Sequence, residues 1–581
     1  MGKIRSKNRI FVIFDVLLAI VFVLFLRNTD AYLAPYIIVA LFGIGSSYLK
    51  TVKYGEERFI KGLKITVIVL SILFGLLCIA ANYRVLNTSG AVICAVCGFR
   101  MAYNFLSLIA VSKGEDFKRL TFKVDAGSDS FEKSAKRVFF ITAAIIIVVD
   151  CLILFLGEYP GVLTEDSISQ LEQLTNNVYS NHHPFYHTMI IKLFVTIGLK
   201  VFGGDYNKAI ALYNVFQIIV MGCTFGYINS TLKRIGIKNI VLVIITVWFA
   251  FVPCHFMYSF TIWKDVLFAS AISVFFITVF RMQNGFSKKT FITWELLILS
   301  GIGSCLFRSN GLMSVAVASV IFILLFRKSH KKMCFTLIGI IVISIIMKGL
   351  VLNAIGVSKT DTIESLSIPV QQIARVITED RYCLSEEDER LLFKVIDIDQ
   401  VGVNYSEFIS NPIKELVRAT GDQEYLKEHI FDYFKLWLRL GISHPKEYFK
   451  AYVEQTKGIW NSGYEYWKVT DIVDQSNPSF GLTKQINEFY HFLWRYNNRF
   501  DTNPVLCIFE STGLHVWLMI ALMFLAISRG NKIALFAFIF FVIYIVTLLV
   551  ASPVFAEFRY TYNLFCIFPF LVFSPLYGKD N

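Results

Sequence analysis

The sequence predicts an all-α polytopic membrane protein, on three observations. Hydrophobic residues make up 55% of the 581 and charged residues only 17%, against roughly 25% charged in an average globular domain. Apolar runs of about 20 residues, the length that crosses a bilayer as a helix, recur along the chain. Mean hydropathy is +0.59. The 56 Lys and Arg outnumber the 43 Asp and Glu, a net charge of +13. On a soluble domain that excess would point to nucleic acid. Here basic loops that fix a membrane orientation absorb it, and no nucleic-acid partner is expected.

The first apolar segment, residues 10–26, follows MGKIRS. That start fits a myristoylation pattern, but a spanning helix directly after it makes an anchor superfluous, and no small-residue cleavage site follows, so the segment reads as a retained span. Segments 32–49, 64–82 and 87–112 complete an accessory N-terminal bundle, residues 1–137, closed by a long basic loop. Cys94 and Cys97 form a C-x-x-C in AVICAVCGF without partner ligands, which reads as packing. Most of the 11 cysteines lie in apolar runs, so no disulfide framework is implied.

Residues 138–354 form the next unit, with apolar segments 138–156, 186–203, 208–230, 239–255, 265–281, 291–307, 311–327 and 334–354. Residues 355–512 turn charged and aromatic with helical periodicity (LSEEDERLLFKVIDID), which predicts an extracytoplasmic helical domain. Segments 513–528, 532–551 and 558–576 close the chain. The basic loops all fall on one side only if one segment between Arg137 and Lys233 fails to cross. Segment 186–203, short and carrying Lys192 and Lys200, is that segment, an amphipathic helix in the interface. About 14 crossings remain, with both termini cytoplasmic in the plasma membrane.

The chemistry concentrates in YPGVLTEDSISQLEQLTNNVYSNHHPFYHTM. Residues 157–185 contain no Lys or Arg but carry Glu158, Glu165, Asp166 and Glu172. Glu165 and Asp166 are adjacent and cannot face the same point, so one is the working group; alternatively Asp166 before Ser167 is a helix N-cap. His182 and His183 before Pro184 suit metal ligation, phosphate contact or proton transfer, or are solvated loop residues. Three further loops share that face. One brings Lys264 and Asp265 (TIWKDVLFA), one Arg308 and Asn310 (LFRSNGLMS), and one Glu557, Arg559 and Tyr560 (SPVFAEFRYTYN). Lys264, Arg308 and Arg559 would ring a cavity suited to a lipid phosphate beside a carboxylate.

The stretch from Gly157 to Ala269, with YPGVLTEDS, SNHHPFYHTMIIKLF and TIWKDVLFA, resembles bacterial membrane proteins grouped with the GT-C superfamily. These multi-spanning glycosyltransferases take sugars from polyprenyl phosphates. The likeness runs from about Arg137 to the C-terminus, with a distant echo of the protein mannosyltransferases and no WWDYG-type motif. It implies a GT-C-like core in which 186–203 is a juxtamembrane helix and Asp166, or else Glu165, is the general base of an inverting transfer. Lys264, Arg308 or Arg559 would stabilise the leaving phosphate, and the acceptor would be a cell-envelope glycan, lipid or protein. A divalent metal (Mg or Mn) is left open, with His182, His183 and Glu165 as available ligands. Trp460, Tyr464, Tyr466 and Trp467 would stack on sugar rings, or form an interface belt or core. The competing readings are a polyprenyl-linked saccharide flippase or exporter and a polysaccharide polymerase. An O-acyltransferase built on His255 or His515 fits poorly, because neither has an evident acid partner.

Overall fold

The computed structural model describes residues 2–26, 33–54, 61–122, 129–286, 290–463, 480–503, 505–552, 554–555 and 557–578. Among these residues every regular element is a helix, and the protein is all-α. Nine of the helices are long and apolar enough to cross a membrane: Leu33–Lys53, Gly62–Ala81, Thr88–Ser112, Glu132–Glu158, Tyr206–Arg234, Lys264–Gln283, Ser309–Phe326, Lys331–Ala354 and Lys532–Ala551. A chain with this many apolar helices is embedded in a membrane. Segment 239–255 is broken: Asn239–Phe251 meets Pro253–Ser259 at 57°, with Pro253, which has no N–H to continue a helix, opening the second piece. Phe11–Leu26, Phe291–Leu306 and Thr512–Ser528 are apolar but shorter. Segment 558–576 is a 3-10 turn, Phe558–Thr561, followed by a short helix, Tyr562–Phe573.

Helix Lys264–Gln283 is the centre of the bundle, with 94% of its apolar window buried. It is apolar all round because other helices surround it, Tyr206–Arg234, Phe291–Leu306 and Tyr562–Phe573 among them. Helix Phe185–Val201 is not among the crossing helices. It lies along Tyr206–Arg234, so closely that a Cβ on Gly198 would come 2.5 Å from Ala209 Cα.

Several spans carry a charged group at one end and a basic turn at the other. Lys264–Gln283 begins at Lys264 and ends beside Arg281, and Ser309–Phe326 follows Arg308 and precedes Arg327. The basic turns meet one another at their end, through ion pairs of Lys53 with Asp116, Arg529 with Glu115, and Arg234 with Glu132 at 2.5 Å.

The first four helices pack together around Phe22, Tyr36, Phe74, Cys78, Cys94 and Cys97, and Trp517 docks on them. Cys94 and Cys97 are buried and free, in keeping with packing. Inside this bundle Asp15 is fully buried. It accepts from Arg100 Nε at 2.6 Å, Ser47 Oγ at 2.5 Å and Asn104 Nδ2 at 3.0 Å.

The helical domain expected over 355–512 is smaller than that. Its own core runs from Ile363 to Tyr448, whereas Val453, Ile459, Trp460, Leu493 and Phe500 belong to the core of the spans. Helix Pro445–Trp460 leaves the domain at Tyr448 and packs on Thr512–Ser528, and Glu488–Thr502 likewise lies against the membrane part. Within the domain is a cavity of about 230 Å³ with apolar walls.

Candidate functional site

Two loops make the site by zipping together. Val162 N donates to Phe260 O at 2.9 Å and Ile262 N to Val162 O at 3.0 Å. The acidic loop is thereby fixed against TIWKD. Thr164, not Asp166, caps the helix Glu165–Asn176. Its N–H donates to Ser167 Oγ at 3.0 Å, Ser167 Oγ donates to Ile262 O at 2.8 Å, and Trp263 Nε1 donates to Thr164 Oγ1 at 2.6 Å. The N-cap alternative for Asp166 is thus overturned, because Thr164 and Ser167 already satisfy the cap. One residue into the helix, Glu165 is exposed, whereas Asp166 turns into the cluster.

Asp166 Oδ2 accepts from Lys264 Nζ at 3.1 Å and from Arg559 at 2.9 Å, and His183 Nδ1 lies 3.7 Å away. Among the described residues all these contacts fall on Oδ2. The side chain is 23% exposed. Burial acts to raise its pKa, but Lys264, Arg559 and His183 outweigh it and hold the carboxyl well below the usual carboxylate range. Burial, and then the Lys264 ammonium, pushes His183 down to about 3, so it is neutral at ordinary pH.

A second set of contacts orients the cations. Arg559 pairs with Glu557 at 2.6 Å and lies over the Trp263 ring at 4.7 Å. Arg308 pairs with the buried Asp265, lies over Tyr560 at 4.9 Å, and its carbonyl accepts from Lys348 Nζ at 3.0 Å. Its turn is tight: a Cβ on Gly311 would sit 2.3 Å from Ser304 O, so only glycine fits there. Asn310 donates to Thr547 Oγ1 at 3.1 Å. Asp265 and Glu557, expected to contact substrate, are instead buried partners of the two arginines. The third histidine of HHPFYH, His187, is buried and bonded to Tyr213 OH at 3.0 Å and Gln170, which makes it scaffold.

Lys264, Arg308, Arg559, His182, Asn310 and Tyr560 line one cavity of about 790 Å³. Asp166 stands behind Lys264 and Arg559, outside the lining. The wall opposite comes from the helical domain and was not legible in the sequence: Thr360, Asp361, Thr362, Glu364 and Ser365. Burial acts to raise Glu364, but Lys414 and Arg418 bring it down to about 2, so it is an ionised acceptor. Met313, Ile543, Val546 and Val550 extend the cavity onto the apolar surface of Ser309–Phe326 and Lys532–Ala551.

Trp460 is core, its Nε1 donating to Thr456 Oγ1 at 3.2 Å and its carbonyl accepting from Trp517 at 3.0 Å. Tyr464, Tyr466 and Trp467 lie outside the described residues. His255 and His515 are buried among aromatic rings, away from any carboxylate partner among the described residues. Among the described residues His182, His183 and Glu165 do not come together as a group close enough to share an ion. Among the described residues the group close enough to share an ion is Asp380, Cys383 and His444, in the helical domain.

A family model matches residues 172–579, well over half of the chain. The chain belongs to DUF6020, a family of unknown function. The DUF6020 match contains the histidine pair, Lys264, Arg308 and Arg559, and begins six residues after Asp166. No curated protein and no solved structure matches the chain.

Proposed function

We propose that the protein is a membrane glycosyltransferase of GT-C type. In this reading it moves a sugar from a polyprenyl-phosphate donor to a cell-envelope acceptor on the extracytoplasmic face. One observation carries the reading: a single cavity joins three chemistries that a lipid-linked sugar needs. Lys264, Arg308 and Arg559 suit the phosphate. The hydroxyls and carboxylates of 360–365 suit sugar hydroxyls. The apolar surface at Met313, Val546 and Val550, which are 58%, 51% and 64% exposed on membrane-crossing helices, suits the hydrocarbon tail. Fourteen crossings follow if the nine long helices are joined by the bent pair, the three shorter apolar helices and Tyr562–Phe573. The positive-inside rule then makes the end with the basic turns cytoplasmic, with both termini, and the cavity extracytoplasmic.

The acceptor hydroxyl attacks the anomeric carbon while its proton passes to Asp166, which the donor phosphate opens to the cavity by drawing Lys264 and Arg559 onto itself. The carbon–oxygen bond to the phosphate breaks with its electron pair going to the phosphate oxygen, and the three cations hold that charge. Inversion follows from a single displacement. Resting Asp166 is ionised but weakly basic, because Lys264 and Arg559 neutralise it. A donor phosphate that engages the same two cations relieves that neutralisation and makes Asp166 a better base. Donor therefore binds before the proton can move. Glu165, exposed outside the cluster, takes no part in this step.

The test is sugar release from a panel of polyprenyl-phosphate sugars by the protein in proteoliposomes, beside Asp166→Asn. Release that the variant loses through kcat supports the base assignment. Loss through KM alone would make Asp166 a holder of the two cations. Intact donor appearing in the opposite leaflet, with no release, would replace the transferase with a flippase.

A further inference from the structure

The helical domain between Ile363 and Tyr448 contains a feature that the transfer reaction does not use. Its core holds a partly open cavity of about 230 Å³ between helices Ser367–Glu379 and Ile430–Ser443, floored by Leu392, Ile413 and Val417. Two lining side chains have polar tips, and both direct them away. Tyr433 OH donates to Leu391 O at 2.7 Å and Trp437 Nε1 to Gln372 Oε1 at 2.8 Å. Nothing in the wall offers a polar ligand a partner or gives a water the two to four bonds it requires. An apolar cavity of roughly 150 Å³ already takes a six-carbon ring, so this one holds a longer hydrocarbon segment and no headgroup. A core with so large a void is also far less stable than a packed one.

We infer that this cavity is a binding site for the acyl chain of a bilayer lipid. Two observations beyond the cavity lead to that occupant. Phe434 belongs both to the cavity lining and to a stripe on Ile430–Ser443 made by Phe431, Phe434, Leu438 and Ile442, all exposed. These are spaced along one face of the helix, and the face is not covered by the domain. The stripe ends at the corner before Pro445–Trp460, where Phe449 stands against Tyr83 at 6.0 Å, just past the end of the span Gly62–Ala81. A hydrocarbon path therefore runs from the edge of the bilayer along the stripe to the cavity. The chain is not the tail of the proposed donor. Ile363 and Leu366 of the turn Thr362–Leu366 face this cavity while Thr362, Glu364 and Ser365 face the cation cavity, so the turn separates them. The assignment goes beyond the transferase reading and does not depend on it.

The experiment uses the full chain in nanodiscs containing a phospholipid with a diazirine on a sixteen-carbon acyl chain, with labelled peptides mapped after irradiation. Label is expected on 367–379 and 430–443 in addition to the spans. Ala374→Leu, which fills the cavity from a buried wall position, should lower the domain label at least tenfold, leave the label on the spans unchanged and melt no lower than the parent. Val370→Trp, at a half-buried lining position, should do the same and decides the matter if Ala374→Leu does not fold. Absence of label in the domain, or label unchanged in the folded variants, overturns the site. Polyprenyl phosphate that displaces the label at equal mole fraction also overturns it, because the cavity would then belong to the donor. Sugar release is read separately, so loss of label with normal release refutes nothing in the transferase reading.

Discussion

Asp15 and Asp166 are two carboxylates that each meet an arginine, and they are built to opposite ends. Asp15, in the N-terminal bundle, is sealed and uses both oxygens on Arg100, Ser47 and Asn104. Asp166 takes Lys264 and Arg559 on a single oxygen, remains 23% exposed, and its two cations line a large cavity. A charge drawn away from water is costly in either setting. At Asp15 both oxygens are hydrogen-bonded within the bundle, which is what a structural staple requires. At Asp166 the compensation is left incomplete, and its cations remain available to something else. How far a charge is satisfied, rather than its presence, separates scaffold from site.

The contrast can be broken most sharply by exchanging outcomes. Asp166→Asn should lower sugar release by a factor of about 10² to 10⁴, the range of general acid–base catalysis, with only a small drop in melting temperature from the lost carboxylate. Asp15→Ala should do the reverse. It leaves Arg100 without its carboxylate and costs about 3 kcal/mol of stability, read as a lower melting temperature, with release per folded molecule unchanged. A loss of turnover in Asp15→Ala at constant stability would erase the distinction.

Smaller effects sharpen it. Lys264→Ala or Arg559→Ala should raise KM for the donor about tenfold or more, through a lost charge-assisted contact. Each should also release Asp166 from part of its depression, so that an acid limb enters the pH profile of kcat/KM from below; the parent should show none from Asp166 above about pH 5. His183 provides a stability counterpart. Its folded pKa, about 3, lies below an unfolded value of about 6.5. In that window the unfolded chain binds the extra proton, so its contribution is fully present above about pH 6.5 and is lost as the pH falls towards 3. His183→Gln should flatten that acid decline in melting curves. Glu165→Gln, at an exposed side chain outside the cluster, should change release less than about twofold.

Local signals carried part of this into the sequence. Basic loops and apolar runs identified the membrane class and singled out 186–203, since charge parity needs no tertiary structure. Asp166, Lys264, Arg308 and Arg559 stood out because charged residues beside spans are expensive, and the fold brings them together. What escaped depends on distant pairing. Asp361 and Glu364 reach the cavity only through the packing of a separate domain, and nothing near them in the chain marks them. Asp265 and Glu557 were read as ligands because sequence shows a charge but not the arginine that neutralises it. The domain limit near Tyr448 was equally hidden, since Pro445–Trp460 keeps its helical period while its buried face changes partners.

The apolar flank of the cation cavity, where Met313, Val546 and Val550 stand on the outer surface of two crossing helices, has a kinetic consequence. A molecule that enters there arrives by two-dimensional diffusion within the lipid, and its effective concentration is a mole fraction of the bilayer rather than a molarity. Dilution with inert lipid at fixed bulk amount would then slow the protein as surely as removing substrate, and dilution with buffer would leave it untouched.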